Sequence, residues 1–243
     1  MPLTANQSAC FARDGFVSLG SCLPQELLHR LEQQLSALHG GRWHGVRDAL
    51  DTVPAVAELA NSAQMHELAA ACAGAPVRLA RVLLFDKQAG RNWLVSWHQD
   101  RTIVVDRRLD LPGWGPWSRK EGQWHVQPPP AILQAMVTLR LHIDATNADN
   151  GCLRVIAGSH LAGLIAEADV GAAVAAGQET LLTMQAGELL AMRPLLLHAS
   201  SKARQPGHRR VVHLEYCAAP LPAGLEWACS VAPAVTTSLQ SPA

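Results

Sequence analysis

The residues best suited to chemistry are histidines that sit beside carboxylates. His98 and Asp100 close the run WLVSWHQD as an H-x-D pair. In an extended backbone, residues two apart face the same way, so imidazole and carboxylate converge on one point and can supply two ligands to a metal. Alone the pair is weak evidence, because H-x-D also arises by chance at solvated strand ends. A third ligand fits at His198, which ends the apolar segment ELLAMRPLLLHAS where a strand would emerge into a cavity mouth. The bland alternative is a satisfied core histidine. His142 and Asp144 form a second H-x-D that competes for the same role. Two histidines and one carboxylate on one face of a metal leave three positions open, as in non-haem Fe(II) oxygenases.

Ser200 lies two residues beyond His198. Arg209 lies eleven beyond it, after a turn containing Pro206-Gly207. Two antiparallel neighbours joined by that turn would set His198 and Arg209 side by side, and the planar fork of an arginine can hold a co-substrate carboxylate bidentately. Strand parity leaves the choice of arginine open. Arg209 shares a face with Val211, His213 and Glu215, whereas Arg210 shares the more apolar face of Val212, Leu214 and Tyr216.

These side chains need elements to position them. Pro24 followed by Leu27, Leu28, Leu31, Leu35 and Leu38 predicts an amphipathic helix ending at Gly40-Gly41. A second helical region, broken or continuous, runs from Pro54 to Cys72 and is closed by Gly74 and Pro76. From Val77 the apolar period becomes that of strands, with candidates at 77–85, 93–97, 103–105, 136–143, 153–156, 181–184, 188–197 and 210–217. Helices first and strands after, without helices between them, predict a mainly β fold with N-terminal helices: a jelly roll in one domain over 1–243. Residues 1–76 form its helical front and 77–220 its core.

Two segments carry paired expectations. The interval 106–130 has no strand period and many Gly and Pro, so it is expected to be a functional loop. Its tryptophans read as core anchors for that loop, or as a lid with Trp114 or Trp117 facing a pocket. Along 136–144, Thr138, Arg140 and His142 share one face, opposite Val137, Leu139, Leu141 and Ile143. A solvated face is the first expectation there, and a pocket wall containing Arg140 is its rival.

WHQD at Trp97 to Asp100, NGCLRVIAGSH at Asn150 to His160, RPLLLHAS at Arg193 to Ser200, and Arg209 together resemble the phytanoyl-CoA dioxygenase family of Fe(II)- and 2-oxoglutarate-dependent oxygenases. DGFV at Asp14 to Val17 is similar to the family's N-terminal region, so the resemblance spans nearly the whole chain. It implies a double-stranded β-helix (cupin-like) core, with His98, Asp100 and His198 as the iron ligands. It also implies that Arg209 holds the distal carboxylate of 2-oxoglutarate, with Ser200 as a hydroxyl partner. WHQD matches the family's first motif, whereas His142 and Asp144 fall in a later, non-ligand segment, and the spacing from His198 selects Arg209 over Arg210. Asn150-Gly151 and Gly158-Ser159-His160 match as structural turns, and His160 has no catalytic role. The activity implied uses Fe(II), O2 and 2-oxoglutarate to oxidise a C–H bond with release of succinate and CO2, hydroxylation being the default. Asp100 fills the position that a halide would need, so halogenation is not expected. A non-oxidative metal-binding jelly roll or a zinc-dependent hydrolase or isomerase is the alternative class.

Composition narrows the partners. The 243 residues are 49% hydrophobic and 16% charged, with 20 basic and 20 acidic residues, which excludes a disordered or coiled-coil chain. Zero formal charge gives no general attraction to nucleic acid or an anionic membrane. Only Lys87, Lys120 and Lys202 are lysines, which disfavours an acyl-CoA with its several phosphates and favours a small metabolite. Six dispersed cysteines without C-x-x-C, and an N-terminus without an apolar signal region, fit a cytoplasmic protein with no membrane span.

Overall fold

The computed structural model describes residues 2–38, 45–46, 49–88, 90, 92–205 and 207–229. Gly40-Gly41 and Pro206, expected to end a helix and to form a turn, lie outside them. Helix α1 (Ala5–Asp14) is set by a capping box in which the Thr4 hydroxyl accepts the Gln7 N–H while the Gln7 side chain accepts the Thr4 N–H. It ends at Gly15, whose φ of 81° favours glycine and where a Cβ would lie 2.4 Å from His160 Nδ1. The DGFV motif is therefore a helix stop leading directly into strand β1 (Phe16–Ser21). In α2 (Gln25–Ala37), Leu27, Leu31 and Leu35 are buried at a spacing of four. Each contributes roughly 1.5–3 kcal/mol of apolar burial.

After β2 (Gly45–Val46) and α3 (Ala49–Thr52), the second helical region is two helices, α4 (Pro54–Asn61) and α5 (Ala63–Ala73). The break is Ser62, which turns extended and caps α5 by accepting the Met65 N–H at 3.3 Å. There follow β3 (Arg78–Lys87), β4 (Val95–His98), β5 (Ile103–Val105), β6 (Trp117–Lys120), β7 (Gln123–Val126), α6 (Pro130–Gln134) and β8 (Met136–His142). The chain continues through β9 (Leu153–Ile156), α7 (Val170–Ala176), β10 (Glu179–Leu182), β11 (Glu188–Met192), β12 (His198–Ser200) and β13 (Arg209–Cys217).

Two antiparallel sheets make the jelly roll, one of order β1-β11-β8-β13-β3-β2 and one of order β10-β9-β12-β4. The outer face of the larger sheet, including Leu84, Leu139, Leu141, Val212 and Leu214, packs on the helical front in one core with Leu31, Leu35, Leu59 and Met65. Tyr216 anchors this contact by donating its hydroxyl to the Ala60 carbonyl at 2.7 Å. No helix among the described residues is long and apolar enough to cross a membrane. The six cysteines are all free.

Several expectations are corrected. The helical front expected over 1–76 also contains β1 and β2 of the larger sheet, and α6 and α7 lie between later strands. The expected strand 188–197 ends at Met192. Arg193 and Pro194 turn the chain, and it re-enters the other sheet as β12. His198 and Arg209 consequently stand on different sheets, facing each other across the interior and not side by side. The interval 106–130 contains the hairpin β6–β7, which pairs with β5 as a third sheet of order β5-β7-β6. Trp114 and Trp117 pack there against a core of Ile103, Leu133, Leu225 and Trp227 and do not line the cavity that contains His98 and His198. The lid wall expected of those two rings is not formed. Finally, Thr138, Arg140 and His142 are not solvated: every residue of β8 is buried, one face against the helical core and the other toward the barrel interior.

Candidate active site

β4 and β12 are hydrogen-bonded neighbours with His98 directly opposite His198. Their imidazole rings stand 4.2 Å apart. Each Nδ1 donates to the carbonyl two residues earlier, His98 to Ser96 and His198 to Leu196, both at 2.8 Å. A carbonyl can only accept, so both rings are held in the tautomer that leaves Nε2 free. Asp100 lies between those two nitrogens, its oxygens 3.8 Å from His98 Nε2 and 3.7 Å from His198 Nε2. Burial lowers the His198 pKa, with Asp100 opposing, which favours the neutral ring that a metal requires.

The backbone around the trio is stapled. Asp100 donates its N–H to the Pro194 carbonyl at 2.9 Å. Buried Gln99 points away from the site, donating to Gly163 and Leu195 carbonyls and accepting the Ile165 N–H. Ser159 accepts the Leu197 N–H at 2.8 Å, just before His198. The ligand atoms of His98, Asp100 and His198 all lie within 4.8 Å of one another, and among the described residues no other set of three such side chains does so. Two neutral imidazole nitrogens and one carboxylate fit a divalent first-row metal. The rival pair is used otherwise. Asp144 is gripped by Arg210 through Nε at 2.8 Å and Nη2 at 2.7 Å, and His142 bonds to Thr146.

The trio opens into a cavity of about 180 Å³ with a wall of Leu83, Phe85, Trp93, Val95 and Leu153. Arg209 and Ser200 also line it. Ser200 Oγ donates to the Gly151 carbonyl at 2.8 Å and accepts from Arg209 at 3.3 Å and from Lys87 Nζ at 2.7 Å. Arg209 donates to Gly151 as well, and its Nε has no hydrogen-bond partner. Gly151 has φ 75°, and a Cβ there would meet the Ser201 carbonyl oxygen at 2.4 Å, so only glycine lets this turn present its carbonyl to the pair. Burial pulls Arg209 down to about 10 and, with the neighbouring arginines, pulls Lys87 down to about 7. Arg210 points the opposite way, to Asp144, Ser36 and Glu32 beside α2.

Arg140 lines the same cavity and contacts His213 Nε2 across the β8–β13 pair. Glu215, two residues on, accepts a bidentate pair from Arg81 at 2.9 and 2.8 Å. Burial raises the Glu215 pKa against the opposing pull of Arg81. Sequence reasoning brought His98, Asp100, His198, Ser200 and Arg209 to this place, and Arg140 only through the rival reading of its face as a pocket wall. It missed Lys87, Trp93, His213 and Glu215. Parity carried a signal for the last two, which share the face of Arg209 at every second position of β13, but nothing local marks Lys87 as buried.

Among solved structures of the same fold, AviO1 from Streptomyces viridochromogenes is 23% identical with a TM-score of 0.67, covering 91% of this chain and 99% of its own. EctD from S. alaskensis, solved with 2-oxoglutarate and 5-hydroxyectoine, is 18% identical with a TM-score of 0.70, covering 89% and 77%. The carbocyclase SnoK from nogalamycin biosynthesis is 16% identical with a TM-score of 0.67, covering 88% and 84%. No curated protein matches the sequence. The phytanoyl-CoA dioxygenase family model matches residues 11–211. Fe(II) and 2-oxoglutarate are the cofactor and co-substrate of that family, and the His-Asp-His group supplies a metal site of the matching kind. The chain thus belongs to the phytanoyl-CoA dioxygenase family of Fe(II)- and 2-oxoglutarate-dependent oxygenases.

Proposed function

We propose that this oxygenase hydroxylates an unactivated C–H bond of a small metabolite. One oxygen atom of O2 enters the product and the other enters succinate as 2-oxoglutarate loses CO2. His98, Asp100 and His198 hold the iron, and Arg209 with Ser200 holds the distal carboxylate of 2-oxoglutarate. Bound Fe(II) supplies the O2 chemistry that no side chain here can provide. One observation carries the reading: the ligand trio and the Arg209–Ser200 pair share one cavity, with His198 and Ser200 two residues apart on β12. The chain's own contribution is positional. Carbonyls fix both imidazole tautomers, Ser200 Oγ accepts from Arg209 and Lys87 and so steadies the guanidinium, and the apolar wall excludes water from the reacting C–H bond. A zinc hydrolase on the same ligands would have no use for a buried guanidinium at the far end of the cavity.

The test is spectroscopic and isotopic. Anaerobic protein with Fe(II) and 2-oxoglutarate should develop a weak visible charge-transfer band. His98→Ala, Asp100→Ala and His198→Ala should lose it, whereas His142→Ala should keep it; loss in His142→Ala alone would overturn the ligand assignment. In a small-metabolite screen by succinate release, 18O from O2 should appear in the product. Because a carbocyclase and an epimerase share this fold, succinate release without labelled product would overturn hydroxylation and leave the oxygenase class standing.

A further inference from the structure

With iron bound, the cavity would bury more positive charge than Asp100 and the co-substrate can neutralise. Arg140 is 5% exposed and Arg209 is 4% exposed, and neither guanidinium touches a carboxylate. The contact of Arg140 is with the ring nitrogen of His213, a neutral acceptor, and its Nε has no hydrogen-bond partner. Burial and the charge of Arg209 pull Arg140 down to about 9, with Asp100 opposing, so the guanidinium is still charged at neutral pH. The remaining charges are accounted for. Arg81 and Glu215 cancel each other. Lys87 also has only neutral partners, the Ser200 hydroxyl and the Ser200 and Ser201 carbonyls, but burial pulls it down to about 7, so it can give up its charge where Arg140 cannot. Three negative charges, from Asp100 and both carboxylates of 2-oxoglutarate, are met by Fe(II) and Arg209. Arg140 is left over, and a buried guanidinium without an anion is costly.

We propose that Arg140, backed by His213, is a specificity residue that binds a carboxylate of the primary substrate, so that the substrate is a small organic acid. The inference rests on the function proposed above and names its substrate class. The guanidinium is a planar fork matched to a carboxylate, and its two contacts keep it in place: His213 on one side, and the packing of β8 on the other. An amide or alcohol at the same place would leave the charge unmet.

The experiment uses the full chain, anaerobic, with Fe(II) and saturating 2-oxoglutarate. The probes are acetate, benzoate and phenylacetate, each paired with its primary amide, and the readouts are perturbation of the visible band and equilibrium binding by tryptophan fluorescence. The acids should bind and the amides should not. Arg140→Met should weaken acid binding roughly 10- to 100-fold, as expected for loss of a charge-assisted pair, without raising the dissociation constant of 2-oxoglutarate. Arg140→Lys, which keeps the charge, should recover part of the acid binding and serves if the methionine variant does not fold. Acids and amides binding alike would overturn the proposal. So would a 2-oxoglutarate affinity that falls in both Arg140 variants, which would assign the arginine to the co-substrate instead. A wild-type protein that shows no band overturns the oxygenase function itself, and this inference with it.

Discussion

Arg209 and Arg210 are adjacent in sequence and opposite in space, and that opposition is the cleanest experiment the site offers. Arg209 ends in the cavity against Ser200, while Arg210 reaches outward to Asp144 and Ser36. Arg209→Ala should raise the 2-oxoglutarate requirement several hundred-fold, from about 3–5 kcal/mol for one side of a buried charge pair, and leave iron binding intact. Arg209→Lys should recover part of the loss, because lysine lacks the fork. Arg210→Ala should leave co-substrate affinity unchanged and instead lower stability by on the order of 3 kcal/mol, since it strands Asp144. Titrating 2-oxoglutarate and urea against the three variants checks both halves. Alternation along β13 was legible in the sequence, and so was the presence of two unlike faces. Which face looked inward was not, because the apolar face packs on the helical front and the polar one lines the cavity.

At the scale of elements, the tryptophan-rich interval shows how a segment rich in Gly and Pro can still pair. β6 and β7 join β5, and Trp117 meets Trp124 edge to face at 6.3 Å within a separate core. The ring at the cavity is Trp93, just before β4, with Lys87 Nζ 5.5 Å from its centroid. Co-substrate that changes the charge around Lys87 should therefore change Trp93 emission. Trp93→Phe should abolish the fluorescence response to 2-oxoglutarate, whereas Trp114→Phe and Trp117→Phe should keep it. A response that vanishes with Trp114 or Trp117 would return those rings to the site. The strand length of the hairpin was too short, and its alternation too broken by Gly113, Gly115 and Pro116, to be recognised locally.

At the scale of the molecule, the barrel interior holds histidines that folding keeps uncharged. Burial, with Arg140 and Arg209 nearby, pushes His142 down to about 2, and burial with Arg140 likewise lowers His213. A folded-state pKa below the unfolded one means that the unfolded chain binds more protons, so stability must fall as pH drops below about 6.5. His142 alone should remove about 2 kcal/mol between pH 7 and pH 5. Urea unfolding across that range should show a shallower slope for His142→Asn than for the wild type; an equal slope would mean that His142 is charged in the folded protein. The chain by itself determined what is local: the leucine stripe of α2, the alternation along β8 and β13, the two H-x-D pairs, and the motifs of its family. Only the tertiary structure decided which H-x-D meets His198, that His198 and Arg209 face each other from different sheets, and that Thr138, Arg140 and His142 are inside. The reason is physical: alternation says that a strand has two different faces, but a face becomes interior only when another sheet closes over it. In a double-stranded β-helix both faces of the central strands are covered, so polar residues can line a cavity where local pattern would send them to water.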